Sequence, residues 1–234
     1  MSYPKVLVGV VTYEGKDYVW DKVYKNLQNL SYPNYDILVV DNTKDMKYYE
    51  KLKKQGVNVV HTKRGKTSRE ALTVSQNYIR DVVLNEGYDY LMFIESDLVP
   101  PRDIIERLMS HNRLVVGSMY YIGHHWSKKE PPRPCLFETV KRGDTTRTEN
   151  INPVRGWDYF GNGLQLIHGC GFGSTLIKRE ILEKFKFWYT LEPPIKHSDV
   201  LFYMDLHNAG YRAYVDTDII VPHYNSNWGD VKDI

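Results

Sequence analysis

Short, almost uninterrupted apolar runs alternate along this chain with longer stretches in which apolar residues recur every three or four positions. Val6 to Val11 is apolar apart from one glycine, as in a strand buried on both faces. Asp17 to Leu30 places Val19, Val23, Leu27 and Leu30 at helical spacing, and Tyr32-Pro33 closes it. Ile37 to Val40 reads as a second buried strand ending at Asp41-Asn42, and Asp45 to Lys54 as a charged helix stopped by Gln55-Gly56. Val57 to His61 predicts a third strand. A helix follows from an N-cap at Ser68 to about Asn85, with Gly87 as its stop. Tyr90 to Ile94 is the fourth strand. Strand and helix alternating at this spacing predict βαβ units and a mainly parallel sheet.

Beyond the fourth strand come a short helix near Pro101 and a strand over Leu114 to Met119. The pattern then breaks. The segment 123–163, rich in Pro, Gly, Trp and basic residues, shows no sustained period and is expected to be an irregular lid or binding loop. Regular structure is expected again over Leu164 to Leu182, in a helix from Ser198 to Asn208, and in two short strands near Tyr211 to Val215 and Ile219 to Val221.

Composition narrows the class. In 234 residues, 42% apolar with 19 tyrosines, there is enough for a sizeable core. A net charge of +2 does not by itself point to nucleic acid or membrane. The two cysteines, Cys135 and Cys170, form no disulfide framework and lack zinc-site spacing. Met1 to Lys5 leads straight into a strand rather than a signal sequence, and no run of 18 apolar residues occurs. A cytoplasmic location is therefore expected.

The fourth strand ends abruptly in Glu95-Ser96-Asp97, and Pro100-Pro101 prevents its continuation. Carboxylates at the carboxyl end of a buried strand sit where open α/β sheets place their ligands. Hard oxygen donors there suit Mg²⁺, and an imidazole from His223, at the end of the last strand, would make Mn²⁺ equally acceptable. Thr12-Tyr13-Glu14-Gly15 is not a Gly-x-Gly-x-x-Gly fingerprint, and Gly65-Lys66-Thr67 lacks the upstream glycine of a Walker motif. Asp41 shares a sheet edge with Thr12 and Glu14, where it accepts from a base N–H or caps the next turn. Lys63 to Arg69 gathers cations beside a helix N-terminus, a phosphate environment or a solvated basic loop. Arg69 opposes the helix dipole there, which favours a functional role. Asp199 opens a late helix as an N-cap or as a general base. His124 and His125 read as loop surface.

Taken in order, these residues resemble nucleotide-sugar-dependent glycosyltransferases of the GT-A fold, family 2-like, over nearly the whole chain from Val6 to His223. Val8 to Glu14 looks like the opening strand and nucleotide-contacting turn. Val39-Val40-Asp41-Asn42-Thr43 looks like the second strand, whose aspartate meets the base. Phe93-Ile94-Glu95-Ser96-Asp97 looks like the metal-binding Asp-x-Asp motif, and His197 to Thr217, closing at His223, like the acceptor-side block. Two departures stand out. Glu95 replaces the first aspartate of the motif, and Ser198-Asp199 replaces the usual Glu-Asp pair.

The resemblance implies an α/β fold of GT-A type: a Rossmann-like, mainly parallel central sheet flanked by helices, with a smaller acceptor-side subregion. A single catalytic domain over 1–234 is expected, with 1–119 binding the nucleotide and 120–234 facing the acceptor. It implies sugar transfer from a nucleotide sugar, UDP-linked by preference, with Mn²⁺ or Mg²⁺ held by Asp97 and His223. Thr12, Tyr13, Glu14, Asp41, Lys66, Arg69, Glu95, Ser96 and Gly171 would contact the donor, with Glu95 on the sugar or ribose side. Gly169 to Gly173 would allow close backbone approach to the sugar. Asp199 would be the base if the enzyme inverts, and would orient acceptor or sugar if it retains. Trp126, Trp157 and Tyr159 offer stacking faces in the lid. The acceptor stays open among a glycan, a lipid-linked sugar, a protein and a hydroxylated DNA base. The 123–156 stretch carries seven Lys/Arg against four Asp/Glu, compatible with a polyanion but too few to predict one. Competing readings are a nucleotidyltransferase, which would favour a glycine-rich loop after the first strand, and a non-catalytic nucleotide-sugar-binding module.

Overall fold

The alternation of apolar runs and amphipathic stretches resolves, in a computed structural model, into one large sheet with helices packed against it. Residues 3–122, 133–142, 145–150, 158–191 and 196–224 are described. The first half supplies β1 (Val6–Thr12), α1 (Asp17–Leu27), β2 (Tyr35–Asp41), α2 (Lys47–Lys54), β3 (Val59–His61), α3 (Ser68–Asn85), β4 (Tyr90–Ile94), α4 (Ile104–Ser110) and β5 (Val115–Met119). The second half supplies β6 (Tyr121–Ile122), β7 (Arg133–Pro134), β8 (Leu136–Arg142), β9 (Thr145–Asn150), β10 (Leu164–Ile167), β11 (Gly169–Cys170), β12 (Ser174–Lys178), α5 (Arg179–Lys184), α6 (Ser198–Asn208) and β13 (Ala213–Ile220).

The eight-stranded sheet runs β10-β13-β5-β12-β4-β1-β2-β3. Strands β3, β2, β1 and β4 pair in parallel, β12 runs antiparallel between β4 and β5, and β10 closes the far edge antiparallel to β13. This is the mixed α/β architecture of the GT-A, Rossmann-like fold. The strand order reverses at β1, so the crevice beyond the carboxyl ends of β1 and β4 is the switch point where such sheets bind ligands.

Local chemistry explains the main elements. Apolar residues of α1 (Val19, Trp20, Val23, Leu27) are all buried, one stripe along the helix. Thr67, not Ser68, caps α3: its hydroxyl accepts from Glu70 N at 3.1 Å, and the Glu70 carboxylate accepts from Lys66 N at 2.7 Å. Sequence placed the cap one residue late, because serine and threonine are adjacent and both competent. At Gly9, an added Cβ would lie 2.5 Å from Ile79, so the glycine allows α3 to settle onto β1.

Two other expectations change. Within 123–163, the described residues include β7, β8 and β9. β8 pairs with β9 and with β11 in a separate three-stranded antiparallel sheet. The polar threonine-rich alternation of β9 hid this hairpin from a search for apolar runs. The two short late strands are one, β13, whose register against β5 shifts between Asp216 and Ile220. Polar residues interrupt its apolar run because they have partners outside the sheet: Asp216 faces His111 Nε2 at 2.9 Å, Asp218 accepts from Gly163 N at 3.1 Å, and Thr217 donates to Gly163 O at 2.9 Å.

Candidate donor and metal site

Three parallel strands end in register. Thr12 lies opposite Asp41, and Asp41 opposite His61. Asp41 is fully buried and both its oxygens are engaged. Oδ1 accepts from Thr43 N (3.2 Å) and Thr43 Oγ1 (2.7 Å), and Oδ2 faces His61 Nδ1 at 2.9 Å. Thr43 Oγ1 in turn accepts from Glu14 N at 3.1 Å, which fixes the turn after β1. Thr12 is buried, while Glu14 is exposed. The Tyr13 ring folds over Gly15, where a Cβ would come within 2.3 Å of it, and the Arg64 guanidinium lies 5.0 Å from the ring centroid. Arg64 also donates to Asn42 Oδ1 at 3.2 Å. His61 and Arg64 are thus additional members of this edge. The signal for His61 was its place at the end of β3, one strand beyond Asp41.

The carboxylates after β4 meet the end of β13. Glu95 N donates to Gly173 O (2.9 Å) and Leu98 N to Glu95 O (3.0 Å), so the chain turns sharply. The register shift in β13 lets the residues that follow run back beside this turn. Val99 N donates to Pro222 O at 3.1 Å, and Tyr224 N to Asp97 O at 2.9 Å, with Leu98 bridged to His223. His223 Nε2 then lies 3.1 Å from Asp97 Oδ2, while its Nδ1 is 2.9 Å from the Tyr121 carbonyl and donates to it. The Lys16 ammonium, from the 3₁₀ turn Glu14–Lys16, contacts the same Oδ2.

Glu95, Asp97 and His223 each offer a ligand atom, all within 4.8 Å of one another, so the trio can hold a metal ion. The chemistry fits. Burial alone would raise the Asp97 pKa, but the His223 hydrogen bond and the Lys16 charge outweigh it and hold the carboxyl below its ordinary value, ionised. Burial, then the Asp97 charge, pushes Glu95 up to about 7. Burial would lower His223, but its hydrogen bond to Asp97 raises it instead. Nδ1 donation to a carbonyl leaves Nε2 as the ligating nitrogen. Ser96 between the acids is buried.

Asp199 stands in the first turn of α6, where its Oδ1 accepts from Val200 N at 2.7 Å. Burial pushes its carboxyl up to about 6, against the lowering effect of that hydrogen bond. Its charge contributes, after burial, to raising Glu95, Tyr120 and Cys135. Ser198 donates to Gln76 Oε1 at 2.6 Å, tying α6 to α3, and an aromatic cluster of Phe93, Phe172, Phe187 and Phe202 packs beneath, with ring centroids 5.2 to 5.5 Å apart. Arg69 turns to His197, Nη2 to Nε2 3.2 Å, bridging the starts of α3 and α6. Lys66 is exposed. At Gly171 a Cβ would lie 1.9 Å from Tyr120 Oη and 2.6 Å from Cys135 Sγ, so protein packing itself demands glycine there. Tyr159 packs against the core, whereas His124, His125, Trp126 and Trp157 lie outside the described residues. A separate depression lined by Asp89, Lys178, Arg179 and Glu183 lies at the other end of the strands, away from this chemistry.

Residues 7–185 match the family model described as Glycosyl transferase family 2, most of the chain. The chain belongs to glycosyl transferase family 2. Membership supports transfer of a glycosyl group from a nucleotide sugar as its general activity. Solved structures share the fold. The crystal structure of A197 from STIV aligns at 17% identity with a TM-score of 0.51, covering 94% of this chain and 85% of that one. That of S. aureus TarS 1-349 aligns at 15% identity with a TM-score of 0.54, covering 93% of this chain but only 59% of that one. These likenesses concern the fold. No curated protein matches the sequence. Among the described residues, no helix is long and apolar enough to cross a membrane.

Proposed function

We propose that this family 2 member transfers a sugar, from a UDP-linked donor by preference, to an acceptor hydroxyl, with Mn²⁺ or Mg²⁺ at Glu95, Asp97 and His223. The observation that carries this reading is the meeting of Asp97 and His223 at the switch-point edge, 3.1 Å apart, beside an ionisable Glu95. A divalent cation bound there supplies charge compensation for the diphosphate leaving group. The protein's own part is to position. Thr12, Tyr13 and Glu14 form the wall of the nucleotide site, and Asp41 holds that wall through Thr43 and His61. Arg69, with Lys66 nearby, adds positive charge at the start of α3. Ser96 and Gly171 shape the sugar side.

In an inverting reaction Asp199 takes the proton of the acceptor hydroxyl. A carboxyl held near 6 is ionised yet basic at neutral pH, as a general base should be. The working location is the cytoplasm. A glycan, a lipid-linked sugar, a protein or a hydroxylated DNA base each offers a suitable hydroxyl.

The test is release of nucleoside diphosphate from a panel of UDP-, GDP- and other nucleotide sugars with and without Mn²⁺. Metal-dependent release from UDP sugars is the expected result. Pyrophosphate release from nucleoside triphosphates would instead favour nucleotidyl transfer. Tight donor binding with no turnover on any acceptor class would favour a binding module.

A further inference from the structure

One oxygen, Asp97 Oδ2, is in contact with two side chains at once, an imidazole and an ammonium. His223 Nε2 approaches it at 3.1 Å, and the Lys16 ammonium touches it from the other flank. The Asp97 side chain is 0% exposed and that of Lys16 only 12%, so this ion pair is shielded from water. A shielded ammonium beside a ligand carboxylate is not neutral toward a second cation. A divalent ion brought to the same carboxylate meets repulsion from Lys16 at short range, in surroundings of low effective dielectric. The lysine is also built to yield. Its backbone is pinned, because Lys16 N donates to Tyr13 O at 2.9 Å and Glu14 N to Thr43 Oγ1 at 3.1 Å. Its four-carbon stem carries several rotatable bonds beyond that fixed base, so the ammonium can shift while the backbone stays in place.

We propose that Lys16 is a built-in counter-ion of the metal site: it holds Asp97 when no metal is bound and must be displaced for a divalent cation to enter. This deepens the metal reading above and rests on it. Lys16 acts through Asp97 and is a positioning residue. Its presence makes the metal-free protein stable at the expense of metal affinity.

The experiment is a Mn²⁺ titration followed by electron paramagnetic resonance, with thermal melts of the metal-free and Mn²⁺-loaded protein, on wild type, Lys16→Met and Lys16→Arg. Lys16→Met should bind Mn²⁺ about tenfold to a hundredfold more tightly, since a repelling charge is gone. It should melt lower than wild type without metal and regain the difference with it. Lys16→Arg keeps the charge and the fold, adds a forked donor, and should bind Mn²⁺ no better than wild type. Equal Mn²⁺ affinity in wild type and Lys16→Met would overturn the proposal while leaving the metal site intact, as would tightened binding in Lys16→Arg. Absence of Mn²⁺ binding in all three would overturn the metal reading itself, and the proposal with it.

Discussion

The Nε2 atom of His223 lies 3.1 Å from Oδ2 of Asp97, although 126 residues separate them in the chain. The contact depends on backbone as much as on side chains. Tyr224 N donates to Asp97 O and Val99 N to Pro222 O, a short antiparallel ladder that carries the end of β13 across the turn after β4. Geometry that is over-determined in this way holds a site to within the tolerance that charge chemistry needs.

His223→Gln should therefore weaken Mn²⁺ binding by at least the ~10- to 100-fold loss that even outer-sphere partners of a metal cause. The fold should survive, since the ladder bonds are main-chain. Isothermal titration with Mn²⁺, beside a circular dichroism spectrum, measures both. An unchanged affinity would remove His223 from the metal set.

Asp199 fixes a pH dependence. Its carboxyl is raised from 3.8 to about 6 by burial, so the basic form grows in as pH rises through 6. Turnover at saturating donor should climb between pH 5 and pH 7 on account of this group, and Asp199→Asn should be nearly inactive throughout. Stability moves the other way. A carboxyl whose folded pKa is raised favours the fold in its protonated form, and that contribution is lost as pH climbs from about 4 to above 6. Asp199→Asn should thus melt at or above wild type at pH 8. A variant melting well below wild type at pH 8 would show that the charged carboxylate gains more in the fold than burial costs it, beyond its hydrogen bond from Val200 N.

Asp41 makes a separable claim. Its two oxygens serve Thr43 twice and His61 once, inside a fully buried position. Asp41→Ala leaves those donors without an acceptor, at about 1–3 kcal/mol for a buried group left unsatisfied. Because Thr43 also holds Glu14 N, the turn after β1, proposed to face the nucleotide, loosens with it. Chemical denaturation and UDP binding should show stability and affinity falling together. Loss of UDP affinity at unchanged stability would mean that Asp41 meets the base directly.

These residues differ in how far the sequence reveals them. The apolar runs that become β1, β2 and β4 are long enough to declare themselves, and their carboxyl-end residues Thr12, Asp41 and Glu95 follow from position alone. The parallel order of β3, β2 and β1 would even have disclosed His61, since register places it beside Asp41. Lys16 was less legible. A lysine two residues past Glu14 in a turn looks like solvated surface, and only the path of β13 and the turn after β4 shows that Asp97 faces it. The β8–β9 hairpin was hidden for another reason. Its second strand, Thr145 to Asn150, has no apolar residue, so pairing rather than pattern defines it. Gly171 was legible as a glycine with a purpose, but the Tyr120 hydroxyl and Cys135 thiol that impose it lie 51 and 36 residues away in sequence.

That last position yields a sharp mutational test. The Tyr120 hydroxyl, buried beneath the glycine run, accepts from Gly173 N at 3.3 Å and sits 1.9 Å from where a Gly171 Cβ would be. Neither side can retreat easily: Tyr120 is 3% exposed, and its ring also stacks edge-on against His223 at 5.5 Å. Gly171→Ala must push Tyr120 aside, and overpacking of this kind costs about 1–3 kcal/mol. The displacement is transmitted to His223, so Mn²⁺ affinity should drop alongside the melting temperature. Gly56→Ala is a fitting control, because its positive φ of 77° is strained for alanine while nothing lies within 4 Å of its Cβ. It should lower stability with Mn²⁺ affinity unchanged. Equal effects of the two substitutions on metal binding would show that the glycine run does not support the metal site.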